Sequence, residues 1–334
     1  MTLQLHGLGH FHPDAEITNR FLEELDIGTD DEWILDRVGI RSRRTMLPLD
    51  YIRETRNRDP REALEAANFS NAQTGAEAAR MALQRAQVEP SEIGMVIAGS
   101  SATDTASPAE VCNIARELEI EVPSFDINSA CTSFFTQLYL LSRMQPESLP
   151  NFILVVTPEG LTRTVDYTDR SAAVLWGDAA AAAVVSLVEP GRAEIMDTSL
   201  ISSPAGADKV VVPRIGHFHQ EGRTVQMFAI KKTSRILRAL QADHGGGDRA
   251  FHFVGHQANL RMLEAVCERC KIPSDRHHAN VEWYGNTAAA SAASVISMHW
   301  DKWSAEDDIA VVGVGSGLTW SGYLMRFSGE GPNP

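Results

Sequence analysis

What this chain of 334 residues lacks already narrows the classes of protein to which it can belong. Its four cysteines are too few for a disulfide scaffold, so we expect reduced thiols and a cytoplasmic location. Its longest uninterrupted apolar runs, such as residues 179–185, fall far short of the roughly 20 residues that span a bilayer. Residues 1–17 contain no basic region followed by an apolar one, so we expect no secretory signal there.

Basic residues are also scarce, because 30 lysines and arginines stand against 44 aspartates and glutamates, for a formal net charge of −14. This excess of negative charge argues against nucleic acid as the main partner. The chain does have an ordinary apolar fraction, 43%, which is enough for a substantial core. Its length suggests about two domains.

The order of the predicted elements indicates the fold class. Segments that predict strands alternate with segments that predict helices, which is typical of an α/β fold with a mixed, mainly parallel sheet covered by helices. The pattern recurs after residues 189–192, so we predict two similar halves, residues 1–188 and 189–334, although no residue-level repeat supports a duplication. The predicted strands are 95–100, 125–127, 152–157, 179–187, 194–201, 251–255, 309–313 and 320–327, and the predicted helices are 108–118, 132–144, 228–243, 260–271 and 287–303.

One region interrupts this alternation. Residues 50–73 are rich in charge and lack a strong apolar stripe, so we interpret them as a charged insertion in the first half. Charge-rich segments are most often solvated surface. The alternative is a lid or partner surface beside an active site, and the sequence leaves both interpretations open.

Cys131 lies where a short predicted strand turns into an unusually apolar helix. At that position a thiol faces unpaired backbone N–H groups and the positive end of a helix dipole, which favour the thiolate. A lowered thiol pKa makes cysteine a nucleophile near neutral pH, so Cys131 is a candidate nucleophile. The alternative is a small buried apolar residue, which is the commoner role of cysteine.

His256 and Asn286 are candidate partners of that nucleophile. His256 follows a predicted strand and precedes a predicted helix, at the edge of the sheet where α/β proteins bind ligands. There it could exchange a proton near neutral pH, or lie in the loop as a capping residue. Asn286 precedes an alanine-rich run, which is typical of a helix N-cap, and its side-chain amide could also stabilise an oxyanion.

The glycine-rich segment 313–320 follows the last predicted buried strand, residues 309–313. A phosphate-binding loop would place a lysine and a helix after the glycines, whereas here no lysine is present and a predicted strand follows. Because glycine allows close backbone approach, a backbone contact with an oxyanion fits this segment better.

Together and in this order, these motifs resemble those of the β-ketoacyl-acyl carrier protein synthase III-like condensing enzymes of the thiolase superfamily. The resemblance covers nearly the whole chain and implies a thiolase-like fold with a layered αβαβα core. It rests on residues 31–41, 130–131, 163, 169–170, 177–178, 256–261, 285–287 and 315–320.

The resemblance implies an acyltransferase that loads an acyl group from acyl-CoA, or from acyl carrier protein, onto Cys131. The backbone N–H groups of Cys131 and Ser316 would form the oxyanion hole. His256 and Asn286 would stabilise the enolate of a malonyl thioester during a decarboxylative Claisen condensation. Coenzyme A takes part as a substrate thioester, and no metal or other cofactor is implied. The implied pathways are fatty-acid biosynthesis and specialised lipid or polyketide biosynthesis.

The family also implies binding residues and a homodimer. Coenzyme A or its phosphopantetheine arm would be bound by Trp33, Arg37, Arg163 and Asn259. Acyl carrier proteins are acidic, so docking on an acidic enzyme needs a local basic patch. The candidates are Lys231, Lys232, Arg235, Arg261 and Arg269. For each of them except Arg261, a solvated helix face explains the charge equally well.

Three positions depart from the family's pattern. Ser107 stands where the family often has a bulky aromatic residue that reaches into the partner subunit's acyl pocket, so we expect a longer or unusual acyl group. Met227 replaces a polar residue near the cofactor arm, and Glu268 replaces a lysine near the carrier-protein surface. With the charged insertion, these departures favour a specialised pathway over ordinary fatty-acid initiation.

Two rival functions stay open. One is a non-decarboxylating acyltransferase or thioester hydrolase on the same scaffold, which has less need of Asn286. The other is a non-catalytic subunit, which would not need Cys131, His256 and Asn286 together. A zinc site is disfavoured because no second cysteine pair accompanies its candidate ligands Cys267, Cys270, His277 and His278.

Overall fold

Ten strands form one continuous mixed sheet in the computed structural model, which describes residues 2–328. The strands of the chain are β1 (Leu3–Phe11), β2 (Glu16–Thr18), β3 (Ser42–Arg44), β4 (Ile93–Ala98), β5 (Ser124–Asp126), β6 (Phe152–Glu159), β7 (Ala179–Ser186), β8 (Ala193–Ser202), β9 (Val210–Val211), β10 (His219–Gln220), β11 (Ala250–Gly255), β12 (His277–His278), β13 (Asp307–Gly315) and β14 (Thr319–Phe327). Strands β2 and β3 pair separately, as do β9 and β10.

The helices lie on both faces of this sheet. They are α1 (Asn19–Glu24), α2 (Asp31–Arg37), α3 (Leu49–Thr55), α4 (Ala63–Ala66), α5 (Asn71–Ala86), α6 (Glu110–Glu117), α7 (Ser133–Leu141), α8 (Arg170–Ala173), α9 (Gly222–His244), α10 (Leu260–Cys270), α11 (Val281–Tyr284) and α12 (Ser291–Met298). No helix among residues 2–328 combines the length and the apolar character that crossing a bilayer requires.

The strand order repeats along the chain. Within the first half the order is β1-β7-β6-β4-β5, and within the second it is β8-β14-β13-β11-β12, with β1 and β8 paired where the halves meet. In both halves the three outer strands are parallel and the inner pairings are antiparallel. The predicted α/β class with a mixed sheet is confirmed. A division of the chain between residues 188 and 189 would fall between β7 and β8 and stays a prediction.

Alternating side chains place helices on both faces of each half-sheet. On β7, Ala182 belongs to the core that includes α5 and α6, whereas Ala183 belongs to the core that includes α7 and α12. On β13, Val311 shares this second core, whereas Val312 lies in the core with α9 and α10. Helices α7 and α12 therefore form a central layer between the two half-sheets, as the αβαβα arrangement requires.

The charged insertion forms part of a wall rather than a detached surface excursion. Its Asn57 is fully buried and donates hydrogen bonds to the carbonyl oxygens of Arg163 and Val165, at 2.9 and 2.8 Å. Its Arg61 and Leu64 line the largest cavity described here, which has a volume of about 700 Å³. The segment thus combines an exposed outer face with an inner face on a cavity.

Candidate active site

The three residues proposed for catalysis meet in one cavity of about 370 Å³. Cys131, His256 and Asn286 line it and are only 6–7% exposed. Arg37, which lines the same cavity, is exposed, so the cavity leads from the surface to the buried sulfur. Of the other predicted site residues, Trp33, Asn259 and Ser316 also line it.

A tight turn and a glycine position Cys131. The residue before it, Ala130, has a φ of 53°, a left-handed conformation that non-glycine residues seldom adopt. Gly315, at the end of β13, approaches so closely that a Cβ there would lie 3.3 Å from the Cys131 Cβ and 3.2 Å from the Thr132 nitrogen. This approach brings the backbone N–H of Ser316 to the sulfur, where the backbone N–H of Cys131 also acts.

The thiol of Cys131 is not activated in the way that the sequence predicts. Burial raises its pKa to about 12, with a further increase from the Glu159 carboxylate. The two backbone N–H groups and the Ser101 hydroxyl oppose this rise without cancelling it. Helix α7 begins only at Ser133, so Cys131 lies outside the first turn, where the dipole acts most strongly. The expectation of a lowered thiol pKa is therefore wrong, and the resting group is a thiol.

His256 is held as a neutral hydrogen-bond donor. Its Nδ1 lies 2.8 Å from the Ser291 Oγ, and this hydroxyl oxygen also accepts the Gln257 backbone N–H at 3.3 Å. Among the described residues the Ser291 hydroxyl hydrogen has no other acceptor, so we assign it to Nδ1 and the ring proton to Nε2. Burial lowers the pKa of His256 to about 4, so the ring carries no charge at neutral pH.

Asn286 presents its amide N–H₂ to the same cavity. Its side-chain Oδ1 accepts the Ala288 backbone N–H at 3.0 Å, which leaves Nδ2 free to donate. Its backbone is fixed between Leu175 and Gly177 by hydrogen bonds of 2.8 and 3.0 Å. The predicted helix over 287–303 is shorter, as α12 from Ser291 to Met298, because a 3₁₀ turn at Ala288–Ala290 precedes it, and Asn286 is therefore not its N-cap.

Glu159 is a site residue that the sequence interpretation missed. It ends β6, is fully buried and accepts hydrogen bonds from Ser100, Ser101 and the backbone N–H of Ala289. Burial raises the pKa of this carboxyl to about 8. The available signal was an acidic residue at the end of an otherwise apolar strand.

At the outer part of the cavity, two guanidinium groups lie near the indole of Trp33. The Arg170 guanidinium carbon lies 4.7 Å from the ring centroid and that of Arg37 lies 5.7 Å from it. Asn259 begins α10, where its Oδ1 accepts the Met262 backbone N–H at 2.8 Å. An aromatic ring beside cationic groups suits the stacking of a planar base.

The prediction that Arg163 binds coenzyme A is wrong. Its guanidinium is 6% exposed and forms an ion pair of 2.6 Å with Asp104, which is itself nearly buried. Its remaining donors bond the Asn71 side chain and the carbonyl oxygens of Gly160 and Ala102. Arg163 lines the 700 Å³ cavity and not the one that contains Trp33. The residue beside Trp33 is Arg170, seven positions later in the same motif.

A second chamber adjoins the sulfur from another side. It has a volume of about 220 Å³ and is lined by Cys131 together with apolar side chains that include Leu161, Trp176 and Phe218. Ser101, Asn128 and Val212 line both this chamber and the 700 Å³ cavity. The exposed Ser107 follows Thr105 and Ala106, which line the larger cavity, but is not itself part of that lining.

The candidate basic patch lies on the two helices beside the main cavity. Helix α9 contributes Val225 to the lining and α10 contributes Met262. The Arg261 guanidinium donates to the Leu35 carbonyl oxygen of α2, at 2.8 Å. The patch residues on α9 are Lys231, Lys232 and Arg235, and those on α10 are Arg261 and Arg269. Met227 and Glu268 lie exposed on the same helices.

The disfavoured zinc quartet has separate packing roles. Cys267 and Cys270 lie on α10, His277 stacks on Phe253, and His278 contacts His252 at 2.9 Å. Within the described residues, no group of three or more histidine, cysteine or acidic side chains is arranged to hold a metal ion.

Comparison with known proteins identifies the family. The family 3-oxoacyl-[acyl-carrier-protein (ACP)] synthase III matches residues 125–204, and the family of the C-terminal part of the same enzymes matches residues 248–327. The β-ketoacyl-[acyl-carrier-protein] synthase III of Geobacillus kaustophilus is 30% identical over 328 residues, which cover 96% of this chain and 97% of that protein. The chain belongs to the β-ketoacyl-[acyl-carrier-protein] synthase III family.

Similar solved structures agree in fold. The 3-oxoacyl-[acyl-carrier-protein] synthase III of Aquifex aeolicus is similar with a TM-score of 0.85 and 27% identity, over 97% of this chain and all of that one. A priming β-ketosynthase from a polyketide biosynthetic pathway has a TM-score of 0.80 and 27% identity, over 98% of this chain and 96% of that one. The protein is thus a condensing enzyme, an acyltransferase of the β-ketoacyl synthase III type with a thiolase-like fold.

Proposed function

We propose that this enzyme transfers an acyl group from acyl-CoA to Cys131 and condenses it with a malonyl thioester, with release of CO₂. The observation that carries the proposal is the meeting of a sulfur, two backbone N–H donors and two neutral side-chain donors in one cavity. A nucleophile and two separate sets of donors match two successive reactions of thioesters.

In the first reaction, Cys131 attacks the thioester carbon and coenzyme A leaves. The negative charge that develops on the acyl oxygen is accepted by the backbone N–H groups of Cys131 and Ser316. In the second, the malonyl thioester loses CO₂, and its oxygen takes the resulting charge. His256 Nε2–H and Asn286 Nδ2–H stabilise that enolate, whose carbon attacks the acyl-cysteine and displaces the sulfur. Preset neutral donors suit this step because they need no proton transfer.

The acyl group would occupy the chamber of about 220 Å³ next to Cys131. That chamber is much larger than a two-carbon acetyl group needs, and the shared lining at Ser101, Asn128 and Val212 offers an extension into the larger cavity. Together with Ser107 in place of a bulky aromatic residue, this favours a longer acyl donor and a specialised lipid or polyketide pathway over acetyl-primed fatty-acid initiation.

The outer part of the cavity would bind the adenine of coenzyme A beside the Trp33 and Arg170 side chains, with Arg37 nearby and Asn259 on the phosphopantetheine arm. The basic residues on α9 and α10 would contact an acidic acyl carrier protein. Four unpaired cysteines support a reducing, cytoplasmic location.

The enzyme would act as a homodimer joined at the β5 edge of the sheet. Within residues 2–328, β5 pairs with β4 on one side only, and its Phe125 is 41% exposed. Unpaired strand edges readily join a second copy. Phe125→Asp is expected to halve the mass measured by light scattering, and an unchanged mass would contradict this interface.

The test of the activity is an acyl-CoA panel read by intact mass, followed by addition of a malonyl thioester. We expect adducts on Cys131 that favour acyl groups longer than acetyl, and CO₂ release on addition of the malonyl thioester. Loss of the adduct without CO₂ would instead establish the alternative, a non-decarboxylating acyltransferase or thioester hydrolase. The absence of any adduct would indicate a non-catalytic subunit.

A further inference from the structure

The fully buried Glu159 carboxyl lies beside the nucleophile and has no part in the two reactions described above. Its Oε1 accepts hydrogen bonds from Ser101 Oγ at 3.0 Å and from the Ala289 backbone nitrogen at 3.2 Å. Its Oε2 accepts the Ser100 Oγ at 3.2 Å and the Ser101 backbone nitrogen at 2.9 Å. A buried carboxyl surrounded by donors of this kind is set up to hold a negative charge or to give it up to a proton.

The elements around Glu159 contribute one titratable neighbour. Strand β7 places Ala179 opposite it, the segment after β4 contributes the two serines, and the turn before α12 contributes Ala289. The remaining neighbour is Cys131, on whose thiol the carboxylate acts. No ion pair of Glu159 occurs within residues 2–328, so its protonation state depends on its burial and on these neutral donors.

Ser101 connects the carboxyl to the sulfur. Its hydroxyl donates to Glu159 Oε1 at 3.0 Å, and Ser101 lines the chamber of about 220 Å³ together with Cys131, whose thiol pKa it lowers. A hydroxyl can accept a hydrogen bond from a thiol while it donates one to a carboxylate. The three groups can therefore form a directed chain from S–H to Oγ–H to Oε1.

His256 cannot take the proton that Cys131 must lose. In the tautomer assigned above, its Nε2 carries the hydrogen and its Nδ1 accepts a hydrogen bond from the Ser291 hydroxyl, 2.8 Å away. Its pKa is also lowered by burial, so the imidazolium is disfavoured. Among the groups described around the sulfur, this leaves Glu159 as the base.

We propose that Glu159 accepts the Cys131 proton through the Ser101 hydroxyl during acylation, an inference that rests on the proposed function. The thiol proton moves to Ser101 Oγ, and the hydroxyl proton of Ser101 moves to Glu159 Oε1. The Sγ–acyl bond forms, the bond from the acyl carbon to the coenzyme A sulfur breaks, and the departing thiolate takes a proton from solvent. In the condensation the Sγ–acyl bond breaks, and Glu159 returns its proton to Cys131 by the same route. Ser101 lines the chamber that holds the reacting sulfur, whereas Glu159 acts through Ser101 as a positioning residue.

The test measures the rate of Cys131 acylation by a saturated long-chain acyl-CoA across pH 6–10. In the wild type this rate is expected to rise with pH up to about 8, where Glu159 becomes ionised. Ser101→Ala is expected to slow acylation at pH 7 by about 100-fold, the lower range for removal of a general base. Ser101→Thr, which keeps the hydroxyl, is expected to restore most of the rate. The matched control is Ser100→Ala, which removes another hydrogen bond to Glu159 without interrupting the route to sulfur.

A second variant separates a proton acceptor from a mere negative charge. A carboxylate that acts only by its charge raises the thiol pKa, so Glu159→Gln would speed the alkylation of Cys131 by iodoacetamide at pH 8. If Glu159 is the acceptor, the same substitution slows alkylation and removes the rise of acylation with pH below 8. Thermal unfolding of each variant monitors its folding.

Wild-type acylation that rises with pH, together with slow Ser101→Ala and Glu159→Gln variants, would support the inference. It would be overturned if Ser101→Ala acylates as fast as the wild type at every pH, or if Glu159→Gln speeds alkylation; the proposed function would survive either result. If the wild type forms no adduct with any donor, the proposed function fails and this inference with it.

Discussion

The two halves of the chain contribute groups of different kinds to the active site. His256 and Asn286 come from the second half. One polar atom of each side chain, Nδ1 and Oδ1, is hydrogen-bonded to a neutral neighbour, and the other, Nε2 and Nδ2, is left to donate into the cavity. Cys131, from the first half, has a buried thiol with a raised pKa and a carboxyl nearby. The donor pair can therefore act without any proton moving, whereas the nucleophile needs a base. Substitutions on the two sides should affect different half-reactions.

The largest effect is expected from removal of the nucleophile. Cys131→Ala has no group to carry the acyl chain, so we expect complete loss of the acyl adduct by intact mass. Cys112→Ala is the control, because that cysteine is exposed on α6 and lies outside the cavities that contain Cys131. Equal adduct formation by Cys131→Ala and the wild type would disprove the assignment of the nucleophile.

Substitution of Arg163 tests whether the stability of the first half depends on the buried ion pair between Arg163 and Asp104. Arg163→Ala leaves Asp104 unpaired in a nearly buried position, and breaking such a pair costs about 3–5 kcal/mol of unfolding free energy. Urea denaturation measures this loss. A stable variant with a raised KM for acyl-CoA would instead restore Arg163 as a coenzyme A ligand.

On the donor side, Asn286→Ala is expected to slow the malonyl-dependent step by about 10²–10³-fold, as for other removed oxyanion donors. Single-turnover acylation of Cys131 should keep its wild-type rate, which serves as the internal control. If both half-reactions slow equally, Asn286 positions the loop and does not act on the enolate.

Ser291 holds the tautomer of His256 through one hydrogen bond. Its loss in Ser291→Ala should cost about 1 kcal/mol, or about five-fold in the rate of condensation. Ser291→Thr keeps a hydroxyl at this place and is the control for the cavity left by alanine. A condensation rate unchanged in Ser291→Ala would show that His256 keeps its tautomer without this partner.

The smallest effect on the kinetics is expected from a substitution at the exposed, outer part of the cavity. Arg170→Ala removes a cation from the face of Trp33, an interaction worth about 0.5–1 kcal/mol at exposed sites, so KM for acyl-CoA should rise about two- to five-fold. The kcat should not change, because Arg170 is remote from the reacting atoms. Steady-state kinetics provide the measurement, and a fall in kcat with unchanged KM would contradict a binding role.

Residues at the ends of strands were predictable from the sequence. Cys131 and His256 follow short apolar segments, and parallel strands bring such ends to one edge. The αβαβα layers were implied by family resemblance, and the apolar α7 was correctly expected in the interior. Helix α5 was missed because small alanines pack it closely against β1, where a Cβ on Gly9 would lie 2.0 Å from the Ala78 oxygen, so it lacks a stripe of large apolar residues.

The remaining features depend on contacts between distant parts of the chain. The thiol pKa depends on burial and on Glu159, which lies 28 positions away and carries no motif of its own. Arg163 and Arg170 occur in one motif, and only the tertiary position of Asp104 and of Trp33 distinguishes the buried ion pair from the cation beside the ring. Charge and spacing along the chain contain no such information.

The most direct measurement starts from isolated acyl-enzyme, prepared in the wild type and in Asn286→Ala, to which a malonyl thioester is added. CO₂ release and the mass of the Cys131 adduct are followed together. The account predicts that the wild type loses its adduct with one CO₂ per acyl group, while Asn286→Ala retains its adduct far longer. Loss of the wild-type adduct without CO₂, or equal rates in the two enzymes, would contradict it.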